Sequence, residues 1–388
     1  MTNGSNVDSL NYSDVLVIGG GVIGLSVARE LHKRGVRRIE LLEKGSCGAE
    51  SSWAAGGILG PQAEADEGGD FFDICSESRD LYPTLAEELF DETGIDIELD
   101  RSGTLYLAFT DEDLTELQKR FDWQRKAGHA VEYLSADNVR QAEPFVSPDV
   151  RGALLFPNDW QVENRKLLTA LKRYAELNGI EIRENSSVER LIVDSDKVVG
   201  AETTTERFTG DHTVLATGAW TSLIKLGHLE MPFKIDPVRG QMLMFRTAKR
   251  LFQRVIYSKR GYLVTRLDGR ILAGSTSEFA GFNRSVTDSA ALSIRKIADE
   301  IAPSLGGLEI ADHWSGLRPH ASDGSPVIGS IDGIGGLFIA TAHYRNGILL
   351  APLTAQLAAG YLIGGEKSQY FEVFGPDRFR PRSVGTVS

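Results

Sequence analysis

The chain has 388 residues, 41% of them hydrophobic and 25% charged, enough for a sizeable core and, at roughly 150 residues per domain, for two domains. Forty-two Lys and Arg against 54 Asp and Glu leave a net charge of −12, which repels phosphate backbones and speaks against a nucleic-acid partner. Two cysteines, Cys47 and Cys75, form no CxxC pair, so neither a disulfide framework nor a zinc site is expected.

The polar, aperiodic residues 1–11 are expected as a flexible tail, as are 378–388. The apolar stretch Val15 to Ala28 contains four glycines, is shorter than the ~20 residues of a membrane span and follows Asp14 rather than basic residues. No membrane contact is therefore expected, and a cytoplasmic location is.

Within that stretch, Val15–Ile18 is an all-apolar run of the kind that forms a strand buried on both faces. After a glycine cluster, Ile23, Val27 and Leu31 recur at helical spacing until Gly35, and Ile39–Leu42 reads as a second buried strand ending at Glu43. Together they form a βαβ unit with the right-handed crossover of parallel strands. Residues 46–70, rich in Gly, Ala and Ser, read as a long functional loop. A helix is expected from Phe71 to Thr93, strand-like segments at Ile95–Leu99 and Thr104–Phe109, and a helix from Asp111 to Gly128.

Another helix, Arg165–Asn178, precedes strands near Ile180–Arg183 and Val188–Val193, and Thr213–Ala216 is a third buried run. Gln241–Phe245, Gly261–Thr265 and Arg270–Ala273 alternate as antiparallel strands do. Leu337–Ala340 and the apolar helix Gly347–Leu362 return to βα character. The expected fold is α/β: a discontinuous Rossmann-like dinucleotide-binding domain from 12–65, 145–235 and 311–365, with an α+β substrate domain carrying an antiparallel sheet from 66–144 and 236–310.

Gly19-Gly20-Gly21-Val22-Ile23-Gly24 fits GxGxxG in its full context, between a buried strand and an amphipathic helix, with Glu43 nineteen residues past Gly24. Gly19 permits the tight turn, Gly21 lets backbone approach a pyrophosphate, and Gly24 lets helix pack on strand. The helix N-terminus faces the phosphates, and Glu43 would accept hydrogen bonds from ribose hydroxyls. The motif admits NAD or FAD.

Other segments carry a resemblance. They are Ser51-Ser52-Trp53-Ala54-Ala55-Gly56-Gly57, continuing to Glu64; GLRP at Gly316–Pro319; DGSPVIG at Asp323–Gly329; and HYRNGILLAP at His343–Pro352. With these motifs the chain resembles the D-amino-acid oxidase-type family of FAD-dependent oxidoreductases, and within it the glycine oxidase branch, from about Asp14 to Leu362. The resemblance implies FAD as cofactor, and without a cysteine after Cys75 that FAD is expected to be non-covalent.

By the resemblance, Ser51, Ser52, Gly56, Gly57 and Ile58 contact the cofactor and the backbone of Val188 meets adenine. Lys44 and Gly218 join Gly19, Gly21, Val22, Ile23, Gly24 and Glu43 among the expected cofactor contacts. The run His343, Tyr344, Arg345, Asn346, Gly347, Ile348 and Leu349 would place a helix N-terminus against the flavin. Arg318 matches the carboxylate-binding arginine, Tyr262 the tyrosine that adds a second donor, and Arg345 a residue on the substrate or flavin side. Ser277 stands where some relatives carry a bulkier Met.

The implied activity is oxidative deamination of glycine, with sarcosine and small D-amino acids as slower substrates. It gives imine or glyoxylate, ammonia and hydrogen peroxide by hydride transfer to flavin N5. The resemblance also implies a homotetramer and transfer of the imine to the thiazole synthase of thiamine formation. The alternatives are a dehydrogenase of small amino acids that uses an electron carrier, and a non-catalytic flavoprotein.

Overall fold

The computed structural model describes residues 12–381. Its centre is a nine-stranded sheet in which Tyr12–Ile18 runs parallel to Ile39–Leu42 on one side and to Arg207–Leu215 on the other. Glu181–Arg183 extends the parallel part beyond Ile39–Leu42, and Leu337–Thr341 pairs parallel with Arg207–Leu215. Ile39–Leu42 is buried at all four positions, as a strand covered on both faces is, and the carboxylate of Glu40 within it pairs with Arg183 at 2.6 Å. Helix Val22–Lys33 buries Leu25, Val27, Ala28 and Leu31 and packs on the long helix Gly347–Gly364. That second helix is long and apolar enough to cross a membrane, but 67% of it is buried within the fold, as a core helix is.

The second sheet has eight strands in the order Asp312–Ala321, Ile235–Arg246, Arg270–Gly274, Gly261–Thr265, Val255–Ser258, Thr104–Ala108, Gly152–Phe156 and Glu132–Ser135. All its pairings are antiparallel except Val255–Ser258 with Thr104–Ala108. The architecture is thus the expected α/β fold with a second, largely antiparallel sheet.

Several expected elements differ in detail. Strand Asp312–Ala321 carries the GLRP motif and pairs along its length with Ile235–Arg246, so this part of 311–365 belongs to the antiparallel sheet. It lies at the sheet edge, where Pro319, opposite Pro237, is tolerated without an N–H. Gly152–Phe156, inside 145–235, likewise joins that sheet. The helix expected over Phe71–Thr93 is two helices, Asp70–Asp80 and Tyr82–Thr93, because Pro83 fits only a first turn. Ile95–Leu99 is not a strand; Asp100, just after it, makes an isolated bridge to Gln161.

The loop 46–70 contains the one-turn helices Ser51–Ala54 and Pro61–Glu64 and the short strand Ile58–Leu59, which pairs with Trp160–Gln161. At the C-terminus, Arg378 is fixed by Asp323 at 2.7 Å within the 3₁₀ turn Pro376–Phe379, so 378–381 is held on the fold rather than being a free tail. The expected tails at 1–11 and 382–388 lie outside the described residues.

Candidate active site and dinucleotide cleft

A continuous cleft starts at the C-terminal end of Tyr12–Ile18 and ends under the antiparallel sheet. It encloses about 1670 Å³ including its open mouth, far more than an amino acid needs. The turn where it starts depends on two glycines. Gly19 has φ +108°, and a Cβ there would lie 2.4 Å from the carbonyl oxygen of Ala216. A Cβ on Gly24 would lie 1.9 Å from the carbonyl oxygen of Gly19, so helix and strand approach this closely only without side chains.

Helix Val22–Lys33 presents a first turn without an acidic residue or a side-chain cap from Gly21; the Val22 N–H donates to Ser52 Oγ at 3.1 Å. Its other first-turn amides have no intrahelical partners and suit an anion. Glu43, 8% exposed, accepts the Gly20 N–H at 2.8 Å and the Gly45 N–H at 2.9 Å. Each carboxylate oxygen keeps a lone pair for a further donor. Lys44 lies 3.9 Å from the centre of the Trp220 ring and pairs with Glu50.

The expected positions Gly19, Gly21, Val22, Ile23, Glu43, Lys44, Ser51, Ser52, Gly56, Gly57, Ile58, Val188, Gly218, His343, Tyr344, Arg345, Gly347 and Ile348 all line this one cleft, with Tyr262 and Arg318. Three expected cofactor residues do not. Gly24 is buried against Gly19, Asn346 occupies the N-cap position of helix Gly347–Gly364 without a side-chain cap bond, and Leu349 sits in the core with its carbonyl accepting the Ser78 hydroxyl at 2.7 Å. Neither Cys47 nor Cys75 lines the cleft.

Helix Gly347–Gly364 points its uncapped, acid-free first turn at the far end of the cleft. His343, 4% exposed, bonds Thr354 Oγ1 at 3.0 Å, and burial pushes its pKa down to about 3, so it is a neutral structural group.

Arg318 lies across the face of Gly240, donating from Nη1 to the Thr276 carbonyl at 2.9 Å and from Nη2 to Ser275 Oγ at 2.8 Å. Among the described residues, no carboxylate lies within ion-pairing distance of it. Tyr262, 8% exposed, directs its hydroxyl to Met242 Sδ at 3.3 Å, a weak acceptor that a better one displaces.

Arg345, by contrast, is engaged. Its Nη2 is 3.7 Å from Glu64 Oε1 and donates to the Tyr257 hydroxyl at 2.8 Å. Glu64 beside it holds the guanidinium firmly protonated. A second cavity opens beyond this point and shares Glu64, Tyr262, Arg318, Tyr344 and Arg345 with the first. Ser277 lies at its wall, 3.1 Å from the Tyr344 hydroxyl.

Sequence reasoning missed the supports of the Ser51–Gly57 segment. Arg266, 3% exposed, donates to the carbonyls of Gly56 at 2.9 Å and Val162 at 2.7 Å, and to Asn164 Oδ1 at 3.0 Å. Asn164 donates in turn to the carbonyls of Ser52 at 2.8 Å and Trp53 at 3.1 Å. Burial lowers the Arg266 pKa to about 10, so it is charged at neutral pH. Trp220, Gly240, Met242 and Glu64 also line the cleft without having been singled out for it.

Comparison with known proteins shows which family the chain belongs to. The family model described as FAD dependent oxidoreductase matches residues 14–361. The chain belongs to that family. It is an FAD-dependent oxidoreductase, and the uncapped helix ends, the glycine turn and the Glu43 carboxylate fit that dinucleotide.

A protein named glycine oxidase from Pseudomonas aeruginosa is 37% identical over 91% of this chain and 95% of its own length. The crystal structure of glycine oxidase from Geobacillus kaustophilus superposes with a TM-score of 0.89 at 34% identity, covering 97% of this chain and all of that one. A Trichormus variabilis protein named bifunctional protein ThiO/ThiG is 33% identical over 96% of this chain and 56% of its own length.

Proposed function

We propose that this flavoenzyme is a glycine oxidase, with sarcosine and small D-amino acids as slower substrates. The observation that carries the reading is Arg318, a half-buried guanidinium in the cleft with two neutral oxygen acceptors and, among the described residues, no carboxylate of its own. Such a group awaits an anion, and its planar fork suits a carboxylate. Tyr262 adds a second donor to the same carboxylate once its hydroxyl leaves Met242. The glycine oxidase names of the relatives above support the choice of substrate.

Bound FAD supplies the two-electron acceptor for the hydrogen on the substrate's α-carbon. Gly19, Gly21 and the first turn of Val22–Lys33 would hold its pyrophosphate, Glu43 its ribose, and Ser51–Ile58 with the first turn of Gly347–Gly364 its flavin. The protein's own work is to grip the carboxylate, aim the α-carbon and admit the amine in its neutral form. Hydride leaves the α-carbon as the nitrogen lone pair forms the C=N bond, so the amine must first lose its proton. Pairing of Arg345 with Glu64 prevents it from competing for the carboxylate.

The uncapped, acid-free first turn of Gly347–Gly364 would favour negative charge on a flavin held against it. The imine then hydrolyses to glyoxylate and ammonia, or passes on to thiamine thiazole formation, and oxygen returns as hydrogen peroxide. The ThiO/ThiG name of one relative supports the thiamine role. Glycine-dependent peroxide release by the FAD-loaded protein tests the reading; absence of peroxide with every small amine contradicts it.

A further inference from the structure

The one-turn helix Pro61–Glu64 delivers Glu64 to the point where the two cavities meet, 3.7 Å from Arg345. Four residues cannot sustain a helix by themselves, because nucleation is unfavourable. This turn is held from outside at both ends. Asp159, with no exposed surface, accepts the Gln62 N–H on Oδ1 at 3.1 Å and the Ala63 N–H on Oδ2 at 2.7 Å. Arg120, its side chain 5% exposed, donates from Nη1 to the carbonyls of Gln62 at 3.3 Å, Ala63 at 3.0 Å and Ala65, and pairs through Nη2 with Asp66 at 2.6 Å. The anion sits at the amide end and the cation at the carbonyl end, the arrangement that favours helical dipoles. Among the described residues, Asp159 has no cation at ion-pairing distance, so its burial is supported chiefly by the turn it holds.

We propose that Asp159 and Arg120 are positioning residues of the substrate site, clamping the turn Pro61–Glu64 so that Glu64 stays against Arg345 and Arg318 alone is free for the substrate carboxylate. The inference rests on the reading of Arg318 as the carboxylate grip. If the turn loosens, Arg345 loses its counter-charge and draws the carboxylate away from Arg318. Binding of the substrate then suffers more than the chemical step.

The clamp has a titration signature. Burial pushes the Asp159 carboxyl up to about 7; its two amide donors and Arg79, on helix Asp70–Asp80, oppose the shift, and Glu64 adds to it. Cys75, on the same helix as Arg79, has its thiol raised by burial, with Asp159 adding to the rise. Arg120 approaches the turn from helix Asp111–Lys126. Above about pH 7 the clamp is charged at both ends, and below it the carboxylate end is lost.

The test uses FAD-loaded wild type, Asp159→Asn and Arg120→Lys. Readouts are KM and kcat for glycine from pH 6 to 9, the Kd of acetate from the flavin difference spectrum, and the Kd of FAD. Expected are a rise of about tenfold in glycine KM and acetate Kd for both variants, kcat within about twofold, and unchanged FAD affinity. Wild-type acetate Kd falls as pH rises through about 7, and Asp159→Asn lacks that step. Unchanged acetate Kd in both variants, or a step that survives in Asp159→Asn, overturns the clamp.

If Asp159→Asn does not fold, Arg120→Lys and the wild-type pH profile decide. Acetate binding that responds as described, without glycine turnover, would keep the clamp and refute the glycine reading. Failure of acetate to bind wild type would overturn both.

Discussion

The guanidinium of Arg318 rests on the backbone of Gly240: a Cβ placed there would lie 2.3 Å from its carbon and from both terminal nitrogens. The contact follows from the register of the two strands, which pairs Val238 with Arg318 and Gly240 with Gly316. Gly240→Ala therefore displaces the guanidinium without altering a polar group. It is expected to raise the KM for glycine by about tenfold or more, with FAD binding unchanged. Steady-state kinetics and flavin titration check this together.

Removing the guanidinium itself acts harder. Arg318→Leu leaves a carboxylate desolvated without its partner, a loss of roughly 3–5 kcal/mol. KM for glycine should rise by at least a hundredfold. Arg318→Lys should recover only part of this, because a single ammonium cannot reproduce the fork. A near-normal KM in the Leu variant would sink the assignment.

Buried His343 gives a stability prediction. With its pKa pushed down to about 3, it stays neutral in the fold while the unfolded chain takes up a proton below about 6.5. Its contribution is complete above pH 6.5 and is lost as pH falls toward 3, at about 1.4 kcal/mol per pH unit. Denaturant unfolding between pH 4 and 7 should show a shallower slope in His343→Gln than in wild type. Equal slopes would show that another group carries the effect.

Arg266 predicts a separation of a different kind. It donates to the carbonyl of Gly56 in the cleft wall and, behind it, to the carbonyl of Val162 and the side chains of Gln161 and Asn164. Arg266→Met leaves those buried acceptors unpaired and should cost about 3 kcal/mol of stability. FAD affinity should drop with it as the Ser51–Gly57 segment loosens. Thermal melts of apo and FAD-loaded protein check both effects.

How much was legible in the sequence follows from how local each signal is. The βαβ unit around Gly19–Gly24 depends on neighbours in the chain, and the structure places Gly19, Gly21 and Glu43 around one cleft. Strand Asp312–Ala321 was harder to read, because Gly316 and Pro319 weaken a strand pattern and only pairing with the distant Ile235–Arg246 makes it one. Pro83 alone marks the break between two helices, inside an otherwise continuous helical periodicity that masks it. Arg266, Asp159 and Arg120 were invisible for the same reason: each acts through backbone groups of a loop far away in sequence, and no spacing marks such a contact. Gly240 became meaningful only when Arg318 was seen to lie on it.

The central claim is best tested by mixing the FAD-loaded protein anaerobically with glycine, following the flavin absorbance, and then admitting air. The account predicts bleaching by glycine, followed by prompt recolouring with release of hydrogen peroxide. Bleaching that persists in air would contradict the oxidase and indicate a dehydrogenase, and no bleaching would contradict glycine as the substrate.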